Sequence, residues 1–347
     1  MSAAAPVTLV TADDAWVDGW TGPATVALTP HGLELRREAS DRDRSRIVAH
    51  VPGVLLPGFT DHHVHLGLVD PAPLVGNGVA RVVDLGSAPA DAAAARVRGA
   101  ADPRSTEVEF AGAVLTAPGG YPTDRDWAPE SWSREVQTEA DAVSAVAEMR
   151  AAGASRIKIA VNSAAGPVWT DEMLDLVVRL AHDSRLPVAA HVEGRGQAVR
   201  AARAGVDELA HTPFSERIDD DALGAMARAC AWISTLDIHG WGERTPDFDL
   251  ALDNLTRFAA LGGRVLYGTD MGNGPLPVGI NRRVLDALFD AGLPLGAVVS
   301  SLSSTPLARE TRISWIPGAI STDRADQARW LSTATVVAVD ELEETFA

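Results

Sequence analysis

Between residues 54 and 270 short apolar runs of β character alternate with amphipathic runs of helical period, and few folds accommodate so regular an alternation. After an opening run at 51–59 the strand-like segments are 79–85, 108–115, 156–160, 187–191, 206–211, 231–236 and 264–270. Helix-like segments between them include 139–152, 170–183, 196–204, 219–229 and 250–261, with two more near 280–291 and 295–302. Thr170-Asp171-Glu172 and Asp219-Asp220-Asp221 put capping and acidic groups where a helix start favours them. Eight strands alternating with helices close most economically into an α/β fold of the (β/α)8 TIM-barrel type, expected over residues 53–308. Residues 1–52 read as short strands (7–10, 24–28, 47–51), with turns at Gly22-Pro23 and Pro30-His31-Gly32 and a charged stretch at 36–46. They are expected to form the N-terminal part of a small β-sandwich-like domain. Residues 309–347, with a strand-like piece at 333–339, are expected to complete or cap it.

The chemistry-bearing residues fall at the ends of these strands. In Pro57-Gly58-Phe59-Thr60-Asp61-His62-His63-Val64-His65-Leu66, His63 and His65 lie two apart and project from one strand face, half of a transition-metal site. His62 points the other way and is no ligand. His191, His211 and Asp270 close the fifth, sixth and eighth strands, and Lys158 lies within the fourth. Each alone has an ordinary reading: a hydrogen-bonded histidine, a turn aspartate. In a barrel, however, all eight C-terminal strand ends converge on one mouth, so the six groups meet in space. Lys158, between Ile157 and Ile159, should point inward, where a bare ammonium is costly. Carboxylation of its amine by carbon dioxide converts it into an anionic oxygen ligand able to bridge two metals.

In motif order and content the chain resembles the amidohydrolase superfamily of metal-dependent hydrolases, in its prolidase-like or imidazolonepropionase-like branch. The matching stretches run from Leu56-Pro57-Gly58-Phe59-Thr60-Asp61-His62-His63-Val64-His65 through Ile157-Lys158-Ile159 and Ala190-His191-Val192-Glu193-Gly194 to Leu209-Ala210-His211 and Tyr267-Gly268-Thr269-Asp270. The resemblance implies two divalent metal ions, zinc by expectation. His63, His65 and Asp270 would hold the buried one, His191 and His211 the exposed one, and carboxylated Lys158 would bridge them. It implies a binuclear hydrolase in which a metal-bridging hydroxide attacks an amide-type C–N bond of a dipeptide, N-acyl amino acid or cyclic amide, with Asp270 shuttling the proton. Three other readings stand beside it: a lactone or ester hydrolase using the same site, a mononuclear deaminase, and a catalytically silent metal-binding protein. The tail departs from the family pattern, because Gln327-Ala328-Arg329-Trp330-Leu331 stands ahead of the expected last strand.

A small-molecule substrate is expected to meet the loops that follow the strands. Tyr121 is the candidate donor to a carbonyl oxygen, Arg195 the candidate partner of a carboxylate, and Trp241 with Trp169 a candidate apolar wall. The formal net charge of −17 argues against nucleic acid and anionic membranes as partners. A homo-oligomer is left open. Cys230, the one cysteine, is expected to be buried and inert. Met1-Ser2-Ala3-Ala4-Ala5-Pro6 lacks a basic segment followed by an apolar run, so a cytoplasmic location is expected.

Overall fold

The apolar run that leads to the histidines belongs to one sheet, and the histidine-bearing strand that follows it belongs to another. The computed structural model describes residues 8–29, 32–36, 47–304 and 307–347; the expected turn at Pro30-His31, the charged stretch beyond Arg36 and the first seven residues lie outside them. Strands β1 (Thr8–Ala15), β2 (Ala24–Thr29) and β3 (Gly32–Arg36) pair antiparallel in sequence, and β4 (Ile47–Pro57) lies parallel to β1. The boundary expected between residues 52 and 53 therefore falls inside β4. Its length and apolar character follow from its serving two cores: Ala49, Val51 and Leu55 pack with β1 and β2, while Val54 and Leu56 face the helices and the larger sheet. The chain leaves this sheet at Gly58, where a Cβ would lie 2.6 Å from the Arg312 carbonyl oxygen and 2.8 Å from Ala80. Only glycine passes so close to backbone.

β5 (Thr60–Val64), β6 (Arg81–Asp84) and β7 (Glu107–Phe110) form a parallel three-stranded sheet. A parallel seven-stranded sheet holds β8 (Val114–Thr116), β9 (Ser133–Glu135), β10 (Ile157–Asn162), β11 (Val188–Glu193), β12 (Glu208–Leu209), β13 (Ala231–Ile233) and β14 (Val265–Leu266), with β9 at one edge and β14 at the other. The run at 108–115 is broken into β7 and β8 at Gly112, whose φ is +80°. Between and after the strands lie α1 (Pro89–Ala101), α2 (Glu139–Ala152), α3 (Asp171–Asp183), α4 (Gln197–Arg203), α5 (Asp220–Ala229), α6 (Pro246–Ala260), α7 (Arg282–Asp290) and α8 (Leu295–Ser301). Thr170 and Asp219 cap α3 and α5 by accepting from the Met173 and Ala222 amides, as their acidic starts suggest. Side-chain alternation sorts the layers: Val188 and Ala190 of β11 face the helices, whereas Ala189 joins Ala210, Ala231 and Ile233 in an inner cluster. Backbone bonds link the two parallel sheets on both sides. Ser155 donates to Phe110 (2.9 Å), Asp270 to His63 (2.8 Å) and His65 to Met271 (2.8 Å).

The tail returns to the first sheet. β15 (Arg312–Ile316) pairs antiparallel with β4, and after α9 (Arg324–Leu331) the last strand, β16 (Thr335–Ala338), pairs with β15. Where a two-sheet sandwich was expected, the described residues form one six-stranded sheet, ordered β16-β15-β4-β1-β2-β3. Leu307 and a short C-terminal helix, α10 (Leu342–Phe346), pack in its core, so no second sheet is needed to bury that face.

This sheet meets the parallel strands through a buried ionic seam. Arg81 reaches Glu107 (2.7 Å) and Glu310 (3.3 Å), and Arg312 donates to the carbonyls of Gly99 (2.5 Å), Asp102 (2.9 Å) and Ser105 (2.8 Å). Burial pushes the Glu310 carboxyl up to about 7 against the attraction of Arg81, and its Oε1 has no hydrogen-bond partner. A carboxyl raised in the folded state binds a proton that the unfolded chain has lost, so its contribution to stability is full below about 4.5 and is lost as pH climbs to about 7. Denaturation of wild type and Glu310→Gln across this window should therefore show the variant gaining relative stability with pH, by at most about 1.4 kcal/mol per pH unit. Parallel pH profiles would show that Glu310 is ionised throughout.

Candidate metal centre

The parallel strands deliver the chemistry-bearing side chains to one end. His63 closes β5 and His65 follows it, His191 lies near the end of β11, His211 follows β12 and Asp270 follows β14. Two carbonyls set the imidazole tautomers. His63 Nδ1 lies 2.8 Å from the Ala210 oxygen and His65 Nδ1 lies 3.1 Å from the Gly86 oxygen. A carbonyl only accepts, so each Nδ1 carries a proton, and each ring, when neutral, presents its lone pair at Nε2. Both Nε2 atoms face the same atom, Asp270 Oδ1, at 3.1 and 3.2 Å. His63 Nε2 and Asp270 Oδ1 are shut off from solvent without a hydrogen bond. Three acceptors converging this closely repel unless a positive charge sits among them, and two imidazole nitrogens with a carboxylate oxygen are the donor set of a divalent transition metal.

The backbone enforces this meeting. Asp270 sits at φ +61°, a left-handed conformation that a short acidic side chain tolerates. Asp61 locks the two ligand-bearing segments together, accepting from the amides of His63 (3.1 Å) and Thr269 (3.0 Å) and from the Thr269 hydroxyl (2.6 Å). Gly268 permits the approach, since a Cβ there would lie 2.3 Å from Ile233 and 3.2 Å from the His63 amide nitrogen.

A second pair faces the first. His191 Nδ1 and His211 Nε2 stand 3.1 Å apart, and the His211 ring lies 4.7 Å from that of His63. Asn162 accepts at Oδ1 from the Ala164 and Ala165 amides, which aims its Nδ2 at His191 Nε2 (3.2 Å) and Glu193 Oε2 (2.7 Å). That leaves Nδ1 as the His191 nitrogen turned toward His211. Lys158, paired in register with Ala189 of the inner cluster, is 3% exposed. Burial brings its amine down to about 7, although Asp270, Glu208 and Asp84 favour the cation. Burial also holds His63 and His211 well below the usual imidazole range. His65 runs the other way: burial disfavours its cation, but the hydrogen bond and charge of Asp270 prevail and raise it. Asp270 itself is buried, which alone would raise it, yet the surrounding imidazoles hold it well below the carboxylate range.

These groups line a cavity of about 200 Å³ that opens into a second of about 620 Å³, the two sharing His65, Tyr121, Trp127, Glu193, Asp270 and Asn273. Tyr121 stacks on His191 (4.7 Å, 22°), and burial pushes its hydroxyl up, so it stays a neutral donor. Arg195 and Trp241 line neither cavity. The Arg195 side chain is 89% exposed beside Glu216, and Trp241 packs on Gly274 at the outer rim. Trp169 is buried among the helices, donating to the Val136 carbonyl (2.8 Å). His62 turns away from both cavities to the Tyr267 oxygen (2.9 Å), and Cys230 is buried. The sequence reading missed Arg125, Trp127 and Phe214 in the cavity walls. Arg125 and Trp127 belong to the loop opened by Tyr121, the one legible signal for them.

No family model and no curated protein matches the sequence. Among solved structures the chain is similar to a Xaa-Pro dipeptidase with methionine bound in its active site (TM-score 0.75, 19% identity, 96% of this chain and 98% of that one). It is also similar to the ochratoxinase of A. niger (0.78, 18%, 96% and 95%) and to the bottromycin amidohydrolase (0.68, 17%, 97% and 88%). At these identities the likeness establishes a shared fold of parallel strands and helices.

A cation held by His63, His65 and Asp270 must replace the proton that Asp270 attracts to His65. Zinc affinity, measured by competition with a chromophoric chelator, should fall by about tenfold per pH unit below the raised His65 value. An affinity independent of pH would remove His65 from the ligand set.

Proposed function

We propose that the chain is a metal-dependent hydrolase of the amidohydrolase superfamily, in its prolidase-like branch, that cleaves an amide-type C–N bond in a small molecule. The observation that carries this is the convergence of two imidazole Nε2 atoms on Asp270 Oδ1, beside the His191–His211 pair and the buried Lys158. In this reading the two parallel sheets are one (β/α)8 barrel within the expected 53–308, and the segments expected at 1–52 and 309–347, with the rest of β4, make up the small β domain. His63, His65 and Asp270 would hold one divalent ion and His191 and His211 a second, and Lys158, as its carbamate, would supply an anionic oxygen donor between the two groups. Nitrogen and oxygen donors of this kind suit zinc. An amine brought down to about 7 is substantially unprotonated at neutral pH, the form that adds carbon dioxide with loss of one proton.

Bound there, the two ions supply an acidified water and a polarised carbonyl. The remaining work belongs to the chain. Asp270, kept anionic by its neighbours, takes the proton of the attacking water and delivers it to the departing nitrogen. The Asn273 amide donates to Asp270 Oδ2 (2.8 Å) and keeps that carboxylate oriented. Tyr121, neutral and at the cavity wall, donates to the carbonyl oxygen as negative charge develops. Phe214 and Trp127 limit water in the inner cavity. Among the described residues no helix is long and apolar enough to cross a membrane.

Zinc-loaded protein should hydrolyse members of a panel of dipeptides, N-acyl amino acids and cyclic imides, and Asp270→Asn should lower kcat by about a thousandfold. Turnover of lactones alone would defeat the C–N assignment. Lys158→Met should reduce the metal content from two ions per chain to one, and reconstitution of wild type in carbon dioxide-free buffer should be slow until bicarbonate is added. Two ions bound equally well without carbon dioxide would remove the carbamate from the site.

A further inference from the structure

The ring nitrogen that His191 turns toward His211 is the one that carries its proton, and Asn162 is the reason. Asn162 Oδ1 is occupied by the Ala164 and Ala165 amides, both at 3.0 Å, so the atom it presents to His191 Nε2, at 3.2 Å, is the donor Nδ2. Nε2 must then accept. Burial disfavours the charged ring, and a neutral imidazole that accepts at Nε2 bears its proton at Nδ1, which stands 3.1 Å from His211 Nε2. His211 accepts there and keeps its own proton at Nδ1, 2.9 Å from the Thr235 hydroxyl oxygen. The hydrogen bonds run one way, from Asn162 through His191 and His211 to Thr235. His211 thus offers a lone pair to the space between the rings, and His191 offers a proton.

A cation shared by the two rings needs a lone pair from each, so the His191 proton has to sit at Nε2 instead. There it would face a donor. The Asn162 amide cannot turn over to receive it without leaving the Ala164 and Ala165 amides unpaired, which is costly in a half-buried place. The acceptor beside it is Glu193, whose Oε2 lies 2.7 Å from Asn162 Nδ2 and 3.6 Å from His191 Nε2. The longer distance is no hydrogen bond, as expected while Nε2 has no proton to give. Asn162 and Glu193 are register partners at the ends of β10 and β11, and His191 pairs with Ala160 one pleat earlier. Strand pairing, not loop packing, keeps the three side chains together.

We propose that Glu193 is a positioning residue for the second ion: it accepts a proton held at His191 Nε2 and thereby frees Nδ1 as a ligand. The ring stays neutral, losing one proton from Nδ1 to solvent and gaining one from solvent at Nε2. This rests on the two-ion reading above and deepens it, because the second ion's affinity then depends on a side chain outside the six candidate ligands.

Zinc titration of protein labelled with nitrogen-15 in its histidines tests this, the His191 signals being those lost in His191→Gln. Without metal, wild type should show His191 protonated at Nδ1, and with two ions per chain it should show it protonated at Nε2. In competition with a chromophoric chelator, Glu193→Ala should hold the second ion about 10- to 100-fold more weakly and the first as before. Adding Asn162→Asp to Glu193→Ala should recover most of that loss, since the new carboxylate can keep the Ala164 and Ala165 amides on one oxygen and take the Nε2 proton on the other. The same protonated nitrogen with and without zinc, a second ion held by Glu193→Ala as tightly as by wild type, or no recovery in the double variant would each overturn the proposal and leave the two-ion site standing. One ion per chain in wild type would overturn the two-ion reading and the tautomer change with it. A tautomer change with no turnover of any amide would overturn the hydrolase reading and leave Glu193 in this role.

Discussion

One oxygen atom, Asp270 Oδ1, faces two imidazole nitrogens at hydrogen-bond distance, and the rest of the site is arranged to keep it there. The arrangement is unfavourable without added positive charge, which makes it informative. A fold does not bring three acceptors together in a buried place unless something else is meant to join them. The carbonyls of Ala210 and Gly86 fix the imidazole tautomers, the left-handed turn at Asp270 aims the carboxylate, and Asp61 couples the two segments that carry them. Each of these contributions comes from backbone or from a residue outside the cavity walls. The geometry is therefore a property of strand positions, which cost little extra to keep rigid.

Lys158 shows the same economy from the opposite direction. Its position in β10 follows from strand parity alone, since Ile157 and Ile159 pack outward with the helices. The inner neighbours in that layer, such as Ala189 and Ala210, are small, and a long side chain set among them reaches toward the imidazoles with nothing of its own size to compete for the space.

Most of this was legible in the sequence because it rests on periodicity. Two-residue spacing places His63 and His65 on one face, and the alternation of strand and helix brings His191, His211 and Asp270 to the same end. What escaped was decided by contacts far apart in sequence. The run at 51–59 reads as one strand because β4 is apolar on both faces, and the break at Gly58 depends on Arg312, more than 250 residues later. The single sheet in place of a sandwich depends on Leu307 and α10, whose role no local pattern announces. Trp169 went into the helix layer, and Arg195 and Trp241 stayed outside the cavities, because loop direction is not periodic. Arg125 and Trp127 went unseen for the same reason, although they sit only a few residues past Tyr121.

The loop from Tyr121 to Ala128 is short, closed by its own turns, and supplies Tyr121, Arg125 and Trp127 to the cavity walls without contributing a ligand. The candidate ligand groups and this stretch of cavity wall are thereby carried by different parts of the chain. Substitutions at Arg125 or Trp127 reshape the cavity wall while the six groups on the strands stay as they are. For a lineage exploring substrates, that loop is where variation is cheap, and for an engineer it is the place to randomise first.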